Sequence, residues 1–326
     1  MALATKNTLG KITNLENREF TSKKAKWLGI IFAILAAVFV GTINVVGKTL
    51  VDPQYSDIES LNPLNLALVV GLITGLFFTP LTKNQTPIKK FDKKTLIFIL
   101  ILGVSEVAAT ATNFFGLAHT SATNASILSN TEFIFVILIA VLIFHERLHK
   151  REYLPLSMIL AGAMIIPLGL DLQENNFTLD KIVFGDFLIL LAAAFYAVDI
   201  SIARFVSRRA SATRISQLSA FAGIPFALML IAIFQVPFDI QVAHIPSILF
   251  MGIFVTGLGY YFFVLALRFL GAIRTILIYS TTTVFGVMFA GIFLGEQITV
   301  FDVSALGIVV FGVYLLRNRL AKMEEE

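Results

Sequence analysis

The stretch "AHTSATNASILSNTEFIFVILIAVLIFHERL" (residues 118–148) returns in altered form as "RFLGAIRTILIYSTTTVFGVMFAGIFLGEQI" (residues 268–298). An offset of 150 residues aligns Ala122 with Ala272, Thr131 with Thr281, Ala140 with Ala290 and Glu146 with Glu296. Each copy is a long apolar run closed by a glutamate, and self-similarity at a fixed offset marks an internal repeat. Earlier in each half, "AAVFVGTINVVGK", ending at Lys48, resembles "AAAFYAVDISIAR", ending at Arg204.

A helix needs about 20 largely apolar residues to cross hydrocarbon. Ten segments qualify: 27–49, 64–82, 95–117, 122–144, 153–171, 182–204, 215–235, 245–268, 272–294 and 301–320. Asn62, Pro63 and Asn65 crowd the start of the second, and Pro80 lies near its end. The expected fold is an all-α polytopic membrane protein with ten transmembrane helices in two inverted five-helix repeats. Its parts are a cytoplasmic N-terminal tail (1–26), a first repeat (27–171), a second repeat (182–320) and a cytoplasmic C-terminal tail (321–326). An odd number of spans per half makes the two halves enter the membrane with opposite orientation, the plan of many secondary transporters.

Charge placement gives the orientation. All 25 Lys and Arg residues except Lys48 and Lys181 fall on one side of this ten-span plan. The 83–94 loop carries Lys83, Lys89, Lys90, Lys93 and Lys94, whereas the opposite segments carry Asp52, Asp57 and Glu59, then Asp171, Glu174 and Asp180. The positive-inside rule puts both termini in the cytoplasm and the protein in the cell membrane as a multi-pass protein. Only 14% of residues are charged, 57% are hydrophobic, and 31 Phe suit surfaces facing membrane lipids. A formal charge of +4, spread over short loops, is no nucleic-acid patch. The absence of Cys excludes disulfides and thiolate metal sites without assigning a compartment. The polar, mixed-charge lead before residue 27 does not read as a signal peptide.

On the paired "TSATNASIL…AVLIFHERL" and "GAIRTILI…AGIFLGEQI", and on "GIVVFGVYLLRNR" (307–319), the chain resembles the EamA-domain transporters of the drug/metabolite transporter superfamily over residues 27–320. That resemblance implies a ten-helix alternating-access carrier with a central cavity lined by both halves, moving small organic metabolites. It departs from a common family feature: where members often carry Pro early in the fourth and ninth spans, Glu132 and Thr282 stand here.

Glu106 and Glu132 fall near the middle of their spans. A charge at that depth is costly unless it faces protein, water, a counter-ion or a ligand. Either residue is able to bind a cationic group, carry a proton or do both in turn; a permanently neutral glutamate joining two helices is the plainer alternative. Asn113 lies seven residues beyond Glu106 and shares its helical face. Ser129 lies close to Glu132, and Asn44 on the first span completes a face. The second half offers Tyr196, Tyr260, Tyr279 and Thr281. A Tyr ring packs on an apolar or cationic solute while its hydroxyl binds a polar end, and ordinary helix packing explains each of these residues equally well. Asp199 reads as lying nearer the cytoplasm, paired with Arg204 or facing an entry path. Glu146 and Glu296 close equivalent runs and suit a structural or gating role. Gly291 and Gly295 suit close packing or a tight exit turn.

The function expected is secondary active transport of a small organic solute, an amino acid or amine with a cationic group, by alternating access with proton coupling. The nearest alternative is an uncoupled facilitator. An intramembrane enzyme ranks lower, since no GxSxG or Walker pattern is present, and the "HERLH" of residues 145–149, though it has the HExxH spacing, lies at the boundary after the fourth apolar run rather than at a compelling membrane placement. No cofactor or metal is called for. A homodimer is compatible with this plan, but no residue requires one.

Overall fold

The computed structural model describes residues 23–55, 59–83, 91–142, 184–207, 209–238 and 240–322, with shorter pieces between 85 and 88 and between 153 and 165. The tail before residue 23, Glu146 with its basic neighbours, most of the expected fifth span, the 171–180 segment and residues 323–326 lie outside the described residues.

All regular structure among the described residues is helical. α1 (Lys23–Gly41) and α2 (Ile43–Val51) form the first span, and α3 (Pro63–Phe78) and α4 (Lys93–Leu117) the next two. α5 (Ala122–Leu128) and α6 (Glu132–Leu142) share the fourth apolar run. α7 (Phe184–Val206) and α8 (Ala212–Ile233) follow. α9 (Ile245–Phe250), a π-helical segment (Met251–Leu258) and α10 (Gly259–Leu270) form one rod. α11 (Ala272–Tyr279) and α12 (Thr282–Phe289) share a run, and α13 (Val300–Lys322) is last.

Among the described residues six helices are long and apolar enough to cross a membrane: Lys26–Val51, Pro63–Thr82, Lys93–Leu117, Phe184–Ala203, Ala212–Ile233 and Val242–Leu270. Their surroundings invert the soluble pattern. Leu142, Phe184, Ile233, Phe234, Phe293 and Val300 are between 62% and 80% exposed, while Asn44, Lys48, Asn130, Asp199 and Thr283 are buried. Apolar side chains face lipid, and polar ones are satisfied inside. The molecule is an all-α polytopic membrane protein.

The residues crowding the start of α3 turn out to be start signals. Asn62 accepts the Leu64 N–H at 2.9 Å as N-cap, Pro63 occupies the first turn, and Asn65 donates to the Pro237 carbonyl at 2.7 Å.

Three spans break near mid-height by one device. The hydroxyl of Thr42 takes the Phe39 carbonyl at 2.6 Å, that of Thr131 the Leu128 carbonyl at 2.7 Å, and that of Thr281 the Ile278 carbonyl at 2.6 Å. A hydroxyl bonding three residues back competes with the α-helical ladder and tightens the turn. Residues 129–131 form a 3₁₀ turn, and α12 restarts at Thr282. Hydroxyl back-bonding thus interrupts both runs immediately before Glu132 and Thr282.

Packing sorts the helices. α4 lies most extensively on α7, with α6 also against α7; α10 lies on α1, with α11 and α12 also against α1. An aromatic seam joins α1 to the rod ending in α10: Phe32 stacks on Phe262 at 5.7 Å, Phe39 on Phe262 at 6.2 Å, and Phe39 meets Phe254 at 6.0 Å. Two groups result, one of spans three, four and six, the other of spans one, eight and nine. Spans two and seven pack on each other, and span seven also packs on span three.

At that last contact the backbones nearly touch. A Cβ on Gly103 would lie 2.4 Å from the Ser219 carbonyl oxygen, and one on Gly223 2.6 Å from that of Gly103. Gly103→Val is expected to separate the two spans and cost about 1–3 kcal/mol. Thermal unfolding in detergent reads this as a lowered Tm. Gly307→Ala, at a glycine with open space around it, should leave Tm unchanged.

Candidate functional site

Hydrogen bonds gather the helix ends into two sets. One end joins Lys48, Asp52, Thr120, Asp186 and Glu296; the other joins Gln85, Asp92, Arg209, Ser211, Thr213 and Arg268. At the second end the Thr95 hydroxyl, with Arg209 across the turn, holds the Asp92 carboxyl below the usual range. Its contribution to stability is present above the unfolded-state value and fades as pH falls through the folded one.

Between the two groups lies a cavity of about 80 Å³, roomy enough for several waters or the polar end of a small solute. Its walls differ in chemistry. Spans three, four and six contribute Glu106, Thr110, Glu132, Tyr196 and Asp199. Spans one, eight and nine contribute Val40, Ile43, Thr256, Tyr260, Phe263 and Tyr279. No Lys, Arg or His is among the described lining residues. Asp199 accepts the Ser105 hydroxyl at 2.8 Å. One carboxylate oxygen of Glu106 and the hydroxyls of Tyr196 and Tyr260 are buried with no hydrogen-bond partner among the described residues. On the wall opposite Glu106 and Tyr196, Tyr279 packs on Phe263 at 4.7 Å, and Tyr260 on the same ring at 6.4 Å. A carboxylate wall therefore faces an aromatic wall across a polar gap.

Several positions aligned by the sequence repeat line this gap with unlike residues, although Thr282, the counterpart of Glu132, is not among the lining residues. The pairing of "AAVFVGTINVVGK" with "AAAFYAVDISIAR" sets Val40 against Tyr196 and Ile43 against Asp199. The 150-residue offset sets Glu106 against Thr256, Thr110 against Tyr260, and Glu132 against Thr282. Position follows the repeat, while all three acids fall on one group.

Of the sequence candidates, Glu106, Glu132, Tyr196, Tyr260 and Tyr279 come together at this cavity. The other four lie elsewhere. Asn113 donates to Asn44 at 3.1 Å, and Asn44 donates to Ser126 at 3.1 Å, forming a buried chain across spans three, one and four. The Ser129 hydroxyl bonds the Ala125 carbonyl at 2.7 Å, and Thr281 is occupied with Ile278. Asp199, read from sequence as lying nearer the cytoplasm and paired with Arg204 or facing an entry path, lines the cavity together with Glu106. Its signal was present: it sits at the repeat position of Ile43, one turn beyond Tyr196.

Toward the Lys48 end, polar contacts bridge the two groups. Asn130 donates to the Thr283 hydroxyl, and Ser126 touches Gly286, where an added Cβ would lie 2.4 Å from its hydroxyl. Lys48 donates to the Leu117 and Thr120 carbonyls, both at 2.7 Å, and pairs with Asp52 at 2.6 Å. Burial in this pair explains why Lys48 escapes the charge sorting of the loops.

The profile of the EamA-like transporter family matches residues 27–168 and 183–318. Among curated proteins, an uncharacterized transporter of Methanothermobacter thermautotrophicus is 27% identical, over 88% of this chain and 85% of its own length. One of Clostridium kluyveri is 23% identical, over 87% of this chain and 91% of its own. The uncharacterized transporter YetK of Bacillus subtilis is 24% identical, over 89% and 87%. A solved crystal structure superposes with a TM-score of 0.61 over 93% of this chain and all of its own, at 14% identity, which shows the shared fold. A multi-pass helical protein matched over most of its length by a transporter profile is a transporter rather than an enzyme, and the chain belongs to the EamA-like transporter family.

Proposed function

We propose that the chain is a proton-coupled secondary transporter of a small organic solute with a cationic group, such as an amine or amino acid. The cavity between the two helix groups carries this reading: three carboxyl groups on one wall, tyrosines on the other, and no basic side chain among its described lining residues. An ionised acidic side chain at mid-membrane costs about 2.5–3.5 kcal/mol on insertion scales. Three of them together demand neutralisation by protons or by a cationic cargo. Because proton and cargo seek the same oxygens, loading one displaces the other, and a proton gradient drives cargo the opposite way. The aromatic wall supplies cation–π contact and apolar surface, and the tyrosine hydroxyls take the cargo's polar groups.

Alternating access follows from two five-span halves of opposite orientation, ten spans in all. The groups of spans three, four and six and of spans one, eight and nine rock about the cavity. The basic end, with Lys83, Lys93 and Arg209, faces the cytoplasm with both termini, and the Asp52–Glu296 end faces outward.

The test uses reconstituted protein in sealed vesicles, screened with amines and amino acids. Collapsing the pH gradient at clamped voltage is expected to cut initial uptake of the identified cargo about tenfold, on the scale of a one-unit gradient acting through one proton. An unchanged rate would rule out proton coupling and leave the runner-up, a facilitator using the same cavity.

A further inference from the structure

One contact between the two groups is built differently from the rest. Glu296 follows the last turn of span nine and reaches back across the group boundary. One of its oxygens accepts the Ala122 N–H at 2.8 Å. The other accepts the Thr123 N–H at 2.9 Å and the Thr123 hydroxyl at 2.6 Å. These N–H groups open α5, so they have no carbonyl of their own helix to bond. The backbone aims the side chain: Gly295 takes a left-handed turn at φ 67°, with open space around it, and reverses the chain immediately before Glu296. Burial, and then the charges of Glu296 and Asp52, push the nearby Tyr55 hydroxyl up.

Lys48 holds the other side of the same turn, on the carbonyl of Leu117, the last residue of α4, and on that of Thr120 within the turn. A cation thus sits at one helix's C-terminal end and an anion at the next helix's N-terminal end, each matching the helix dipole. The two anchors differ in their access to water. Lys48 is 5% exposed and bonded on three sides, so pulling it away would strand buried charge. Glu296 is only part-buried at the rim, where water replaces its bonds as soon as they break.

We propose that Glu296 is the releasable latch of the outer end: bonded to Ala122 and Thr123 it holds the helix groups together there, and its release admits the outer solution to the cavity. This rests on the alternating-access reading above. It assigns Glu296 to positioning the helix groups rather than to touching cargo.

The natural chain has no Cys, so a single Cys replacing Val40 reports on the cavity without background. The probe is a membrane-impermeant thiol reagent applied to the outer face of sealed vesicles. Adding Glu296→Ala is expected to raise the labelling rate about tenfold, the scale of losing charge-assisted hydrogen bonds. Thr123→Val, which removes one bond of three, should give a smaller rise and serves where Glu296→Ala folds poorly by gel filtration. Labelling in the parent at a rate that neither change alters would overturn the latch alone. A Val40→Cys site never reached from outside, in any background, would overturn both the latch and the alternating-access reading beneath it.

Discussion

Glu106→Gln protein, reconstituted in vesicles with a pH gradient, is expected to lose gradient-driven cargo transport by about tenfold or more, the usual weight of a displaced proton-transfer group. Gln keeps the volume of Glu and the capacity to bond, so the fold should survive, with an unchanged gel-filtration profile. The choice of Glu106 over its neighbours rests on geometry. Asp199 is already engaged with Ser105, whereas Glu106 presents a buried oxygen that no described residue satisfies. Glu132→Gln should depress transport too, and its cargo affinity separates the roles. A raised KM with retained pH dependence makes that carboxyl a cargo contact; lost pH dependence at unchanged KM makes it a proton carrier. Full gradient-driven flux in both single variants would remove the carboxylate wall from the mechanism.

Lys48→Met is expected to produce the largest loss of stability, about 3–5 kcal/mol, the cost of removing one partner from a buried ion pair. Asp52 would keep the Gln54 N–H at 2.9 Å as a partner but lose its cation, and the Leu117 and Thr120 carbonyls would lose their donor. The loss should appear as a steep fall in detergent Tm and in yield. Lys48→Met combined with Asp52→Leu should recover much of it, because removing both charges leaves neither stranded. A single variant as stable as the parent would show that the pair contributes little at this site.

Periodicity and charge made the helices legible before any coordinates, because apolar runs of membrane length and basic loops are strong one-dimensional signals. The expected 95–117 and 122–144 spans correspond closely to α4 and to α5 with α6. What the chain hid was which spans share a group, since that depends on side-by-side packing rather than on order. α7, expected in the second repeat, packs with α4 and α6, and α1, expected in the first, packs with α10, α11 and α12. This exchange carries Asp199 to the side of Glu106. The helix breaks were hidden for another reason: Thr281 reads as a cavity candidate, and Thr131 only as its repeat partner, until their hydroxyls are seen on the carbonyls three residues back. Asn44 and Asn113 looked like cavity residues because polarity at mid-span has two uses. Here they bond each other.

In the proposed transport cycle the two helix groups rock against each other about the carboxylate-lined cavity. Paired spin labels on an otherwise Cys-free chain measure this directly. One pair, at His119 and Gln297, spans the groups at the Glu296 end; the other, at Lys93 and Arg274, spans them at the basic end; all four positions are exposed. Electron–electron distance measurements across a pH series, with and without cargo, should give two populations at each end. As one end lengthens, the other should shorten. A single fixed distance at both ends, or both ends widening together, would contradict the account.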